Sequence, residues 1–252
     1  MKYSINALKN NMNNDSDVVK TENHKVNANR YRFWNIEKND YSLIRFLPDR
    51  NEENPLFFIS YKTHDILYRG SKRTFNCLSN YNEPCPICEA SSEYFRKDGK
   101  NSIIGKDIYK KQKYLAQIIV LKDATTGSNK PFYASICFGK QIHDAIVRDI
   151  NSNKLSYAPH DPAMGYHFMI IHKELNNNSS YESSQFLADN PLALTEECSQ
   201  IMEKNYKDLG ELRNVKHDRE FLLLALHEYC LTHDKHYDNQ YDYSYHYHYN
   251  NA

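Results

Sequence analysis

Four side chains of this 252-residue chain have the types and spacing of a metal site: His64, Cys77, Cys85 and Cys88, all within 25 residues. Cys85-Pro86-Ile87-Cys88 is a Cys-x-x-Cys knuckle with a proline between the thiols. Three thiolates and one imidazole make a closed tetrahedral set, the coordination of a single structural zinc ion. Cys85 and Cys88 anchor the set, and His24, His143 and His160 are alternative sources of the fourth donor. The surrounding segment holds Asn76, Ser79, Asn80, Asn82, Glu83 and Pro84 and few large apolar side chains. A metal staple is therefore expected to stand in for a hydrophobic core there.

Competing chemistries fit these residues less well. A redox Cys-x-x-Cys belongs where a strand meets a helix in a parallel sheet, and no such pattern surrounds Cys85 and Cys88. Pro84-Cys85-x-x-Cys88 matches half of a zinc deaminase signature. That chemistry needs a Glu two residues after the His and an open metal position for water. Asp65 and Ile66 follow His64 instead, and four donors close the site. The sequence shows no Gly-rich phosphate loop and no nucleophile elbow, so no enzyme is expected. A zinc-braced protein-interaction module is the remaining alternative. Cys137, Cys198 and Cys230 stand singly in apolar stretches and read as buried thiols. Without a leader peptide or a long apolar run, the expectation is a soluble protein of a reducing compartment with no membrane partner.

Charge and aromatic content point to a ligand. Net charge is zero, but residues 1–150 carry 24 Lys+Arg against 17 Asp+Glu, whereas residues 151–252 carry 8 against 15. The first part is suited to a polyanion. Its densest point is Lys110-Lys111-Gln112-Lys113-Tyr114, and the chain holds 21 tyrosines. Lysines attract a phosphate backbone without reading sequence, and tyrosine rings stack on unpaired bases. The combination favours a single strand over a duplex, since only unpaired bases expose a face.

The elements that must position these groups are short strands. Tyr31–Ile36, Tyr41–Leu47 (stopped by Pro48) and Pro55–Tyr61 alternate as strands in close succession. Tyr114–Leu121 and Phe132–Phe138 form a hairpin across a turn at Lys122–Lys130, and Tyr166–Ile171 is a further strand. Helices are expected over residues 86–97, after Gly139, and across residues 192–232. Gly99 and Gly105 mark residues 96–113 as a basic loop, and Asn176–Ser180 as a polar loop follows the last strand. The predicted class is mainly β with peripheral helices (α+β). Residues 1–29 read as a flexible arm in which Ser4 caps a short helix over Ile5–Met12, and residues 233–252 as a disordered His/Tyr-rich tail.

Ordered segments of the chain resemble a known family. Ile44-Arg45-Phe46-Leu47-Pro48, then His64, Cys77, Cys85 and Cys88, then Tyr114-x-Ala116-x-Ile118-x-Val120-x-Lys122-Asp123, Phe138-Gly139-Lys140 and Tyr181-x-x-Ser184-x-Phe186-Leu187 are similar to the core of the T4-type phage single-stranded DNA-binding (helix-destabilising) proteins. The likeness implies an OB-fold barrel over residues 30–190, an inserted zinc subdomain at about residues 62–97, and a helical extension over residues 191–232. It implies zinc ligation by His64, Cys77, Cys85 and Cys88. It implies a basic, tyrosine-lined cleft using Arg45, Tyr81, Tyr94, Lys110, Lys111, Lys113, Tyr114 and Tyr181. The implied role is sequence-independent coating of single-stranded DNA in phage replication, recombination and repair, in the cytoplasm of the infected bacterium. Self-association along DNA and contacts with phage replication and recombination proteins are the implied partnerships. The chain departs from the family at Leu115 and Asn178, where the family has aromatic residues. Its basic arm is reduced to Lys2-Tyr3-Ser4, and a His/Tyr-rich tail stands where the family has an acidic, serine-rich one.

Overall fold

A computed structural model describes residues 3–13, 34, 40–176, 178–212 and 216–234. In chain order the elements are α1 (Ile5–Asn13), β1 (Asp40–Phe46), β2 (Phe58–Tyr68), β3 (Ser71–Asn76), α2 (Pro86–Asp98), α3 (Ile103–Asp107), β4 (Lys111–Lys122) and β5 (Phe132–Phe138). They continue with α4 (Lys140–Asn151), β6 (His167–Leu175), β7 (Asn178–Ser180), β8 (Gln185–Phe186), α5 (Glu196–Asn205), α6 (Leu209–Leu212) and α7 (Arg219–His233). The chain divides into two compact units: residues 1–60 with 113–214, and residues 61–112 with 215–252. The structure is mainly antiparallel β with helices, as the strand-rich pattern predicts.

In the first unit β1 lies between β4 and β6, antiparallel to both, with β5 on β4 and β7 and β8 on β6. β4 reads KQKYLAQIIVLK, and residues Tyr114–Val120 are buried on both faces. Its β-branched run suits a pleated surface covered on two sides. One face puts Ala116, Ile118 and Val120 against Ile44, Phe46, Phe58, Phe138 and Phe168, and α4 closes that core with Ile142, Ala145, Ile146 and Ile150. Full burial of each such side chain stabilises by about 1.5–3 kcal/mol. The other face packs Leu47 and Ile119 against Cys198, Ile201 and Met202 of α5.

The short amino-terminal helix expected over Ile5–Met12 is present as α1. The Ser4 hydroxyl accepts from Ala7 N at 3.4 Å, as a cap should, and Leu8 and Met12 are buried in the first core. Trp34 donates its backbone N–H to Ser135 O at 2.9 Å. The rest of the strand expected at Tyr31–Ile36, the remainder of the arm, and the tail from residue 235 lie outside the described residues.

The second unit corrects the idea of a segment with little to fold around. Strand β2 runs on past the expected end at Tyr61 and turns at Arg69 and Gly70, both at positive φ (51° and 69°), into β3. Two consecutive positive-φ residues make the tight hairpin turn that suits the right-handed strand twist. Ile66, Tyr68, Phe75, Leu78, Ile87 and Ile108 form a core with Leu222, Ala225, Leu226, Tyr229 and Cys230 of α7. The expected extension over residues 191–232 is thus divided, with α5 and α6 in the first unit and α7 completing the core of the second. The expected basic loop also contains structure: Ser102 caps α3 by accepting from Gly105 N at 3.2 Å. Asn178–Ser180 pairs with β6 as β7 rather than remaining a loop.

Candidate metal centre and nucleic-acid interface

The second unit brings the four predicted ligands together, with donor atoms all within 4.8 Å of one another. Cys85 caps α2, Pro86 takes its first position and Cys88 lies in its first turn. The amino-terminal end of a helix favours thiolates there. Cys77 starts a short 3-10 turn over Leu78–Tyr81 that closes at Asn82 in the left-handed conformation (φ 57°). His64 comes from β2 and is fully buried.

The Sγ atoms of Cys77 and Cys88 are 3.4 Å apart, and His64 Nε2 is 3.5 Å from both Cys85 Sγ and Cys88 Sγ. A tetrahedral ion with sulfur at about 2.3 Å and nitrogen at about 2.0–2.1 Å gives edges of about 3.8 Å and about 3.6 Å. The donors therefore fit one four-coordinate cation with little movement. The other imidazole nitrogen, Nδ1, lies 2.8 Å from Ile108 O. Donating to that carbonyl fixes the tautomer that leaves Nε2 free to ligate. The thiols lie close enough for each to shift the others. Contacts with Cys85 and Cys88 pull the Cys77 thiol far down, while contacts with Cys77 and Cys85 push the Cys88 thiol up. A bound cation takes the place of the thiol protons.

The sequence reading missed the parts that hold this cluster in place. Asn80 Oδ1 accepts from Lys62 N and its Nδ2 donates to Lys62 O, both at 2.8 Å, which ties the Cys77 turn to the strand carrying His64. Arg219 of α7 grips Glu89 with two N–H groups (3.2 and 2.7 Å) and reaches Pro84 O at 3.0 Å. The spacing of Asn80, three residues after Cys77, offered a signal for the first tie; nothing local predicts the second.

The eight expected ligand-contact residues fall on both units. Lys110, Lys111, Tyr81 and Tyr94 belong to the second, and Arg45, Lys113, Tyr114 and Tyr181 to the first. Lys111 is exposed and pairs with Asp65 at 3.0 Å, while Lys110 and Lys113 are half-buried. Tyr81 is half-buried, with the Lys216 ammonium 5.3 Å from its ring centroid. Tyr181 is half-buried and stacks on His172 at 4.6 Å. Tyr94 donates to Asp234 Oδ2 at 2.8 Å and so fastens α2 to α7.

Two residues are placed otherwise than expected. Tyr114 is buried, lying flat on His143 at 4.0 Å and stacked with Phe138 at 5.5 Å. Arg45 is 1% exposed and donates from Nη2 to Asp161 O (2.6 Å) and Leu192 O (2.8 Å). Burial lowers its pKa to about 10, against the opposing pull of Asp161. Strand alternation explains both: each side chain points into a face that a helix or loop covers.

Residues 38–226 match the family described as gp32 DNA binding protein like. The chain is 30% identical over 157 residues to the single-stranded DNA-binding protein of Enterobacteria phage T2, a match covering 59% of this chain and 51% of that protein. It is 29% identical over 157 residues to the single-stranded DNA-binding protein of Enterobacteria phage T4, with the same coverage of 59% and 51%. The chain thus spans about half the length of the curated relatives it matches.

Proposed function

The chain belongs to the family of gp32-like DNA-binding proteins, and from that membership we propose that it binds single-stranded DNA independently of sequence, without catalysis. One observation carries the reading: the family match spans both the assembled Cys3His cluster and the Lys110-Lys111-Lys113 run.

The donor set suits zinc, which prefers mixed thiolate and imidazole ligands in a closed tetrahedron. When bound, zinc supplies a rigid cross-link between β2, the Cys77 turn and the start of α2. The chain's own residues do the rest. Lys110, Lys111 and Lys113 draw in the phosphate backbone and release its counterions. Tyr81 and Tyr181 offer partly open rings for stacking on bases. Tyr94 and Tyr114 brace the elements that carry these groups. We read the first unit as an OB-type barrel and the second as its zinc subdomain. In this reading the protein coats unpaired DNA during phage replication, recombination and repair in the infected bacterial cytoplasm, associates with itself along the strand, and meets replication and recombination proteins there.

The test is a titration of labelled oligothymidylate at rising salt, against a duplex of equal length. Single-strand affinity should fall with a log–log slope of about −0.7 per neutralised phosphate. Equal affinity for duplex refutes the proposal.

A further inference from the structure

Arg45 is a cation shut in a place that does not suit it. Its Nη2 meets two carbonyls, but among the described residues Nε and Nη1 have no hydrogen-bond partner, and the guanidinium is essentially without solvent contact. Among the described residues no carboxylate bonds it; the Asp161 side chain accepts instead from Ala163 N at 2.9 Å. A buried charge without a bonded counter-ion is strongly unfavourable, and more so with two of its nitrogens unsatisfied.

The cover over Arg45 is thin. It includes the loop before β6 and a strap between β8 and α5. Leu192 N donates to Gly165 O and Leu194 N to Pro162 O, both at 2.8 Å, and Arg45 itself holds Leu192 O. No residue from 187 to 197 is buried, and the Leu192 side chain is 47% exposed. Lifting the strap breaks a few backbone bonds and the contacts of two half-buried side chains, Ala188 and Leu194, but exposes no fully buried one, which keeps local opening low in cost. Gly165 allows the close fit, since a Cβ there would sit 2.5 Å from Arg45 Nη2 and 2.4 Å from Pro159 O.

We propose that residues 188–194 are a gate over a latent phosphate site, and that a phosphate of the bound single strand displaces the strap to pair with Arg45. The inference rests on the single-strand-binding reading above. The phosphate supplies what the closed state lacks, an anion able to accept from two guanidinium nitrogens at once. Binding then carries the cost of opening, so the gate weakens apparent affinity until the strand is engaged.

The test uses the full chain and oligothymidylate. Leu192→Pro removes the N–H that bonds Gly165 O while sparing a buried side chain. It should tighten binding about 3–10-fold, and in an Arg45→Met background it should change nothing. Arg45→Met alone should lower the salt slope by about 0.7, one single-strand phosphate. Hydrogen exchange at Leu192 and Leu194 should quicken at least tenfold when oligothymidylate saturates the wild type. Arg45→Lys, which keeps the charge, guards against misfolding of the methionine variant and should retain the slope. Unmoved amides, an unchanged slope and an inert Leu192→Pro, with the wild type still binding, overturn the gate alone. A wild type that does not bind overturns the underlying reading and the gate with it.

Discussion

Asn80→Ala tests the tie between the two halves of the metal cluster. The Asn80 amide makes two hydrogen bonds to the Lys62 backbone, each 2.8 Å long. It thereby holds the turn carrying Cys77 against the strand carrying His64, two residues beyond Lys62. Each neutral bond contributes about 1 kcal/mol net, and Lys62 is half-buried, so water only partly replaces the lost partner. The expected loss is about 2 kcal/mol. The pairing forms only where the ligands are assembled, so the loss should appear in metal affinity. At about 1.4 kcal/mol per factor of ten, zinc should bind about 30-fold more weakly. Competition against a calibrated chelator, monitored with a zinc indicator dye, reads this directly, and circular dichroism checks that the variant folds. A folded variant with wild-type zinc affinity would show that the ligands are held without this clamp.

Other outcomes follow from the same contacts. Leu226→Ala should destabilise the second unit by about 2–5 kcal/mol and speed zinc loss, because Leu226 packs in the core that also contains Cys77 and Cys85; an unchanged melting curve would contradict the part given to α7. Burial, then the Arg45 charge, hold the His160 pKa down to about 3 from 6.5. This folded-state value is depressed, so stability is whole above about pH 6.5 and is lost as pH falls toward 3, by about 2 kcal/mol at pH 5. Urea titrations should show that loss, and His160→Phe, which keeps the packing on Phe57, should flatten it. Removing Lys110 and Lys111 together should lower the salt slope for oligothymidylate by about 1.4, and an unaltered slope would remove them from the phosphate track. Tyr181→Ala should weaken binding by about 1–3 kcal/mol if its ring stacks on a base, measured by the same titration.

How much of this was legible in the sequence differs by residue. His64, Cys77, Cys85 and Cys88 were readable because metal ligation constrains residue type and spacing together. β4 and β5 were readable as apolar, β-branched and aromatic runs on either side of a polar turn, and α4 because Ile142, Ala145, Ile146 and Ile150 recur at helical spacing and are buried. The β2–β3 hairpin was hidden, because its apolar residues Ile66, Tyr68 and Phe75 interleave with charged ones and find their partners more than 140 residues away on α7. The burial of Arg45 was hidden for a similar reason. The carbonyls that receive it, at Asp161 and Leu192, lie 116 and 147 residues distant and carry no side-chain signal. Helix α3 escaped notice because Gly105, a breaker by type, lies buried against Phe95 and Ser102, where a Cβ would be crowded at 3.2 Å.

The most direct measurement is the affinity of the full chain for oligothymidylate before and after zinc is stripped by chelation and then restored, at one fixed salt concentration. Tight binding that falls at least tenfold on stripping and returns with one equivalent of zinc is the predicted result. Affinity indifferent to the metal, or a purified protein that takes up no zinc, contradicts it.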